Sequence, residues 1–177
     1  MRNIILAAGI TLDGYIARPN GAVDYLFMPK DFSMAPFFAS IDTILMGRKT
    51  YEVSLQMGGS AFGEHVVTYV FSRTQPSGAR DGVIFVNEPA AKLVEYIRSK
   101  PAKGKDIWLM GGGELAAEFL NFDLVDEMHL GIVPLLLGEG IPLFPPGFPQ
   151  RNFKLLASNT FSEGLVELKY ERVSRRS

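Results

Sequence analysis

The segment that decides the fold is IWLMGGGELAAEFL, residues 107–120. Ile107-Trp108-Leu109-Met110 is a short apolar run, Gly111-Gly112-Gly113 interrupts it, and Glu114 to Leu120 is amphipathic. An apolar run that ends in glycines and opens into a helical period reads as strand, tight turn, helix. Glycines at such a turn let the backbone come close to a ligand, and the N–H groups that open the helix suit an anion. A glycine turn without a ligand would look the same in isolation. What separates the two readings is a second turn of this kind far upstream, Met46-Gly47-Arg48-Lys49-Thr50. Two such turns in one small domain suggest that different loops hold the two phosphate-bearing ends of a dinucleotide.

Outward from these turns the chain alternates strands and helices. Asn3 to Ala8, Thr43 to Met46, Val66 to Ser72 and Val83 to Val86 are apolar or β-branched runs of strand length. Helices are expected over Asp31 to Ser40, starting late because Pro36 falls inside, over Tyr51 to Met57, and after Asn87, which can serve as the N-cap ahead of Pro89. Glu127 to Val133 is a further strand. Lys154 to Phe161 and Leu165 to Val173 form a closing antiparallel pair around Ser162-Glu163-Gly164. Between Gly9 and Pro29 no helical period is sustained, so this is a long loop with one short strand at Tyr15-Ile16-Ala17. The pattern is that of an α/β domain with a largely parallel central sheet carrying antiparallel strands. No repeat or linker divides residues 1–177, and one domain is expected.

Composition narrows the function. With 47% apolar and 21% charged residues the chain is an ordinary globular one, and its formal net charge of −1 gives no general attraction to nucleic acid or to a membrane surface. Arg172, Arg175 and Arg176 read as a solvated tail. The absence of cysteine excludes disulfides and thiolate chemistry, and His65 and His129, the only two histidines, have no metal-ligand spacing and read as structural or surface residues. No metal is expected. No apolar run is long enough to span a bilayer and no secretory leader is visible, so a cytoplasmic location is expected.

Three strand ends carry anion-friendly residues. Gly47, Arg48, Lys49 and Thr50 follow the second strand, Phe71, Ser72 and Arg73 follow the third, and Gly111, Gly112 and Gly113 follow the strand at Met110. Ligands of open α/β sheets bind beyond the carboxyl ends of the strands. Neither the Gly-x-Gly-x-x-Gly fingerprint nor the triphosphate-binding loop is present, so a dinucleotide would be held in another way.

These residues, taken in order, resemble the dihydrofolate reductase superfamily. The resemblance is carried by Ile5-Leu6-Ala7-Ala8, Leu12-Asp13-Gly14-Tyr15-Ile16-Ala17, Met46 to Glu52, Phe71-Ser72-Arg73 and Met110-Gly111-Gly112-Gly113-Glu114-Leu115. Ile132 to Phe144 (IVPLLLGEGIPLF) is similar to the branch that includes the reductase domain of bifunctional riboflavin biosynthesis proteins. The resemblance implies a dihydrofolate-reductase-like three-layer α/β/α fold with a mostly parallel sheet and a C-terminal antiparallel hairpin. It also implies an oxidoreductase that uses NADPH, and a homodimer. By the same resemblance Ala8 faces the nicotinamide carboxamide. Gly47, Arg48, Lys49 and Thr50 hold the 2′-phosphate and pyrophosphate, Phe71, Ser72 and Arg73 flank the adenine, and Gly111, Gly112, Gly113, Glu114 and Leu115 lie under the pyrophosphate. The extra phosphate of NADPH, with a charge of about −2, would meet Arg48, Arg73 and Lys49.

Asp31 has two readings. It stands at the distance from Met46 where the folate enzymes carry a buried carboxylate that binds substrate and assists protonation, and it is also a fitting N-cap for the helix after it. The stretch from Tyr51 to Phe71 holds no Arg or Lys, which departs from the folate enzymes and disfavours a folate substrate. The expected substrate is a small heterocyclic or carbonyl compound, including a pyrimidine intermediate of the riboflavin pathway. A true dihydrofolate reductase and a non-catalytic nucleotide-binding module are the alternatives. The apolar, proline-broken segment Pro134 to Phe148 is the expected dimer surface.

Overall fold

A computed structural model describes residues 2–58, 62, 65–100 and 104–173. In chain order the elements are β1 Ile4–Thr11, β2 Tyr15–Ala17, α1 Ala35–Ser40, β3 Ile41–Gly47, α2 Arg48–Gln56, β4 Val67–Phe71, β5 Gly78–Arg80 and β6 Val83–Val86. There follow α3 Ala90–Ser99, β7 Asp106–Gly111, α4 Gly113–Asn121, β8 Glu127–Val133, β9 Ile141–Pro142, β10 Phe153–Thr160 and β11 Val166–Arg172. Nine strands make one sheet in the order β10-β11-β8-β1-β7-β3-β4-β6-β5, while β2 and β9 pair separately. The run from β8 to β6 is parallel throughout, and the hairpin β10-β11 and the edge strand β5 are antiparallel. This is the α/β architecture read from the pattern, with the dihydrofolate-reductase-like sheet expected of it.

The uniform apolar strands are uniform because both faces of the sheet are covered. Ile4 and Leu6 of β1 enter the cluster with α3 and α4, and Ile5 and Ala7 enter the opposite cluster with Tyr51 of α2 and Trp108. In α3 the buried residues are Ala90, Leu93, Val94 and Ile97, the i, i+3, i+4, i+7 stripe of a helix lying on a sheet. Phe119 of α4 is fully buried beneath Phe71, their rings meeting edge to face at 6.1 Å.

Several expectations are corrected, though not the late start of the helix expected over Asp31 to Ser40: it begins at Ala35, with Pro36 in its first turn. That short helix buries no residue, so it is held by Phe37 reaching inward and not by a full apolar face. Asn87 does not cap α3; Pro89 is its N-cap, and the Asn87 N–H instead donates to Ser77 Oγ at 3.1 Å. Strands β5 and β9 have three and two residues, too short for any period to reveal them. Arg172 is not part of a solvated tail: it pairs with Asp123 at 2.7 Å and Asp126 at 3.1 Å. Arg175 and Arg176 lie outside the described residues. Trp108 is in the core as expected, its Nε1 donating to the Ala7 carbonyl at 2.9 Å.

The segment Pro134 to Phe148 packs on the core at some residues and faces solvent at others. Leu143 is fully buried, Ile141–Pro142 pairs with β2, and Phe144 and Phe148 pack on the core beneath α4. Asp13 anchors its start by accepting the Leu137 and Gly138 N–H groups at 3.2 and 2.8 Å. Of its large apolar side chains only Leu136 is well exposed. Among the described residues no helix is long and apolar enough to cross a membrane, and no cluster of His, Asp and Glu has the arrangement of a metal site.

Candidate cofactor and substrate site

Strand β3 lies between β7 and β4, and its register sets Met46 beside Gly111 and Gly47 beside Phe71. The three anion-friendly strand ends are therefore neighbours at one edge of the sheet. Helix α2 leaves that edge with Gly47 as N-cap, and α4 leaves it with Gly112 as N-cap. Neither helix has a side-chain cap, so the opening N–H groups of both remain available for a ligand. A Cβ placed on Gly47 would lie 3.9 Å from the Gly112 nitrogen, so the two N-caps are adjacent. Two uncapped helix starts side by side give an electropositive backbone cradle.

Each glycine of the triplet has a separate job. Gly111 has φ of 99°, a conformation that favours glycine, and its peptide to Gly112 is cis. Gly113 is buried, and a Cβ there would overlap the carbonyl oxygen of Pro142. Gly112 has ordinary extended dihedrals, and a Cβ on it would stand 3.5 Å from Thr50 Oγ1 and 3.7 Å from Ile16 Cδ1. Gly112 is thus the member of the triplet that keeps space open between α2 and β2. Thr50 brings its hydroxyl to the same space.

The cations around the cradle are present and partnered. Arg48 Nη1 donates to Glu52 Oε1 at 2.5 Å along α2, Lys49 is exposed, and Arg73 Nη2 donates to Glu114 Oε2 at 2.7 Å from the end of β4 to the start of α4. The Ser72 hydroxyl is buried and accepts the Thr74 and Gln75 N–H groups at 3.3 and 3.0 Å, so it shapes the turn that presents Arg73. Leu115 lies in the core and places α4 from beneath.

The two edges of β1 are bonded to different lengths. The Asn3 carbonyl accepts from Ile107 of β7 and the Ile4 carbonyl from Asp126, ahead of β8. Alternation along β1 then turns the odd-numbered residues' N–H and C=O groups toward β7 and the even-numbered ones toward β8. Pairing with β7 ends at Leu6, while pairing with β8 continues to Thr11. Ala8 is therefore occupied by β8, and Gly9 is the residue whose backbone faces the gap left by β7. Nothing local in the sequence shows which neighbour Gly9 faces.

Asp31 does not cap the helix that follows it: α1 has Met34 as its N-cap. Its exposed carboxylate accepts from Ser162 twice, from the backbone N–H at 2.9 Å and the hydroxyl at 2.6 Å. Those two donors hold its pKa below the ordinary aspartate value, the hydroxyl having the larger effect. An acid that donates a proton near neutral pH needs the opposite shift. Asp31 ties the loop before α1 to the turn between β10 and β11, where Phe32 also meets Phe161 edge to face at 5.0 Å.

Residues 2–167 match the family described as the RibD C-terminal domain. The chain belongs to that family. Within it, the Bacillus subtilis (strain 168) protein YyaP is 37% identical over 188 residues, covering 96% of this chain and 94% of its own. The crystal structure of a riboflavin biosynthesis protein assigned in Shewanella sp. PV-4 is 28% identical, with a TM-score of 0.81, and the match covers 98% of this chain and all of that one. Dihydrofolate reductase from Enterococcus faecalis, solved with NADP(H), shares the fold at a TM-score of 0.70 and 18% identity over 97% of both chains. The RibD C-terminal domain fold is thus shared over the full span in which the cradle, β1 and the closing hairpin lie.

Proposed function

We propose that this protein is an NADPH-dependent reductase acting on a small heterocyclic or carbonyl acceptor, a pyrimidine intermediate of riboflavin biosynthesis being the first candidate. The observation that carries this reading is the adjacency of two uncapped helix N-caps, Gly47 and Gly112, ringed by Arg48, Lys49 and Arg73. The family and the NADP(H)-bound relative of the same fold point the same way. When bound, the cofactor supplies the hydride. The protein's part is to hold it and to set its reactive carbon against the acceptor. N–H groups at the starts of α2 and α4 would take the pyrophosphate, and Gly112 leaves room for it. Arg48 and Arg73 would take the 2′-phosphate, giving preference for NADPH over NADH. The free backbone of Gly9 would receive the carboxamide, and the sheet face beyond it would receive the acceptor.

Fluorescence titration with NADPH and NADH tests the cofactor, with tight NADPH binding and weak NADH binding expected. Oxidation of NADPH is then followed with aminopyrimidine, dihydrofolate and carbonyl acceptors. Turnover of dihydrofolate alone would make the protein a folate enzyme, and NADPH binding without any turnover would make it a binding module.

A further inference from the structure

One polar group on the sheet lies where the acceptor would rest and has no part in holding the cofactor. Ile5, Ala7 and Gly9 of β1 present their side-chain positions to the face covered by α1 and α2. On that face the register continues from Ala7 to His129 of β8 and from His129 to Lys169 of β11. Glu127, paired between Ile5 and Glu171, and Gly131, paired between Gly9 and Glu167, complete the floor. Phe37 of α1 stands over it, with its ring 5.8 Å from the imidazole of His129 and 5.4 Å from Trp108. Gly9 and Gly131 side by side leave a notch one alternation beyond His129, about 7 Å along the strand. Leu26 covers that notch: a Cβ on Gly9 would come within 2.9 Å of its Cδ2.

The imidazole is held from one side only. Glu127 Oε1 accepts from Asn3 Nδ2 at 2.9 Å, and its Oε2 lies 3.1 Å from His129 Nε2. Nδ1 has no hydrogen-bond partner among the described residues, yet it is not one of the sealed polar atoms that lack one. Burial holds the His129 pKa below its usual value; Glu127 and Glu167 oppose this and Lys169 adds to it. Burial thus favours the neutral ring. With Nε2–H donated to the Glu127 carboxylate, Nδ1 carries the lone pair. A half-buried imidazole with one nitrogen fixed and the other open, beneath an aromatic ring, is suited to a planar polar ligand.

We propose that His129 is the substrate-recognition group of this site: Nδ1 accepts a hydrogen bond from an amino or ring N–H of a planar heterocycle lying beside Phe37 on this face of the sheet. Glu127 is a positioning residue that fixes the tautomer. The direction of approach rests on the cofactor placement proposed above; the recognition itself rests on the floor geometry alone. It assigns the polar contact to β8, in place of Asp31.

The test reads ligand binding without turnover. The carbon-bound imidazole protons of His129 are followed by NMR in the whole protein, His65→Gln serving to assign the two histidines. 5,6-Diaminouracil, rich in N–H donors, is compared with 1,3-dimethyluracil, which has none. A saturable shift of the His129 signals by the first ring only is expected. His129→Phe should weaken binding of that ring about tenfold or more, the size of an abandoned donor, and His129→Gln, which retains an acceptor, should recover part of it. Thermal melting and NADPH titration of both variants separate misfolding from loss of the contact. Equal shifts with both rings, no shift with either, or unchanged binding to folded His129→Phe overturns the proposal. Absence of NADPH binding in the parent protein would instead remove the reductase reading and leave this result standing.

Discussion

Arg73 and Glu114 join the end of β4 to the first turn of α4 across the mouth of the cradle, Nη2 to Oε2 at 2.7 Å, with both side chains largely exposed. The residues are 41 positions apart, and the pair places a carboxylate where a phosphate would compete for the same guanidinium. With NADPH bound as proposed, Glu114 would compete for Arg73. Exposed pairs of this kind are weak and salt-screened. Glu114→Gln is expected to tighten NADPH binding by up to about fivefold at low salt, an upper bound from the weakness of such pairs, with little effect on NADH. Titration at two ionic strengths checks it; weaker NADPH binding in the variant would show that Glu114 supports the cofactor directly.

Arg48 is expected to be the stronger determinant of cofactor choice, because it sits in the first turn of α2 beside the uncapped N-terminus. Arg48→Ala should weaken NADPH by roughly 1–3 kcal/mol, the scale of a charge-assisted hydrogen bond, while NADH is nearly unchanged. Equal losses for both cofactors would take Arg48 away from the 2′-phosphate.

The glycine triplet offers a separation of stability from binding. Gly113→Ala puts a methyl group into the Pro142 carbonyl oxygen, and overpacking of this kind costs about 1–3 kcal/mol of stability. The Cβ of Gly112→Val meets only ordinary contacts with Thr50 and Ile16, and the variant is expected to fold while losing NADPH affinity. Full affinity in folded Gly112→Val would remove this turn from the phosphate site.

Asp31 supplies a pH prediction with a definite sign. Its folded-state pKa is lowered by Ser162, so its contribution is present above the unfolded value of 3.8 and is lost as the pH falls through the lower folded value. Asp31→Asn should reduce the melting temperature slightly at neutral pH and flatten its dependence on pH below the usual aspartate range. Ser162→Ala should have the same direction of effect. Turnover, once an acceptor is identified, should survive Asp31→Asn, and a 100-fold loss, the lower end of general-acid effects, would restore the catalytic reading.

A second surface, besides Pro134 to Phe148, suits self-association. Strand β10 forms an open edge of the nine-stranded sheet and exposes Leu155 and Leu156, and an open edge of this kind is a template for pairing with another chain. Sedimentation at micromolar concentration is expected to show a dimer, disrupted by Leu156→Lys; a monomer throughout would end the proposal.

Strand and helix positions, the glycine turns and the family were legible in the chain because each is written in contiguous residues. A uniform apolar run marks β1, the turn residues Ser162-Glu163-Gly164 mark the closing hairpin, and Gly111-Gly112-Gly113 marks a strand-to-helix turn. What the sequence alone left open was adjacency. Nothing local places Gly47 next to Gly112, because that depends on β3 inserting between β7 and β4. Nothing local pairs Asp31 with Ser162, 131 residues later, or turns Ala8 toward β8 and Gly9 toward the open gap. Nor does anything local show that the apolar run Pro134 to Phe148 sends Leu143 into the chain's own core. Local pattern determines which residues are apolar, free or charged; only the order of strands in the sheet decides which of them meet, because hydrogen-bond register is fixed between segments that are distant in the chain.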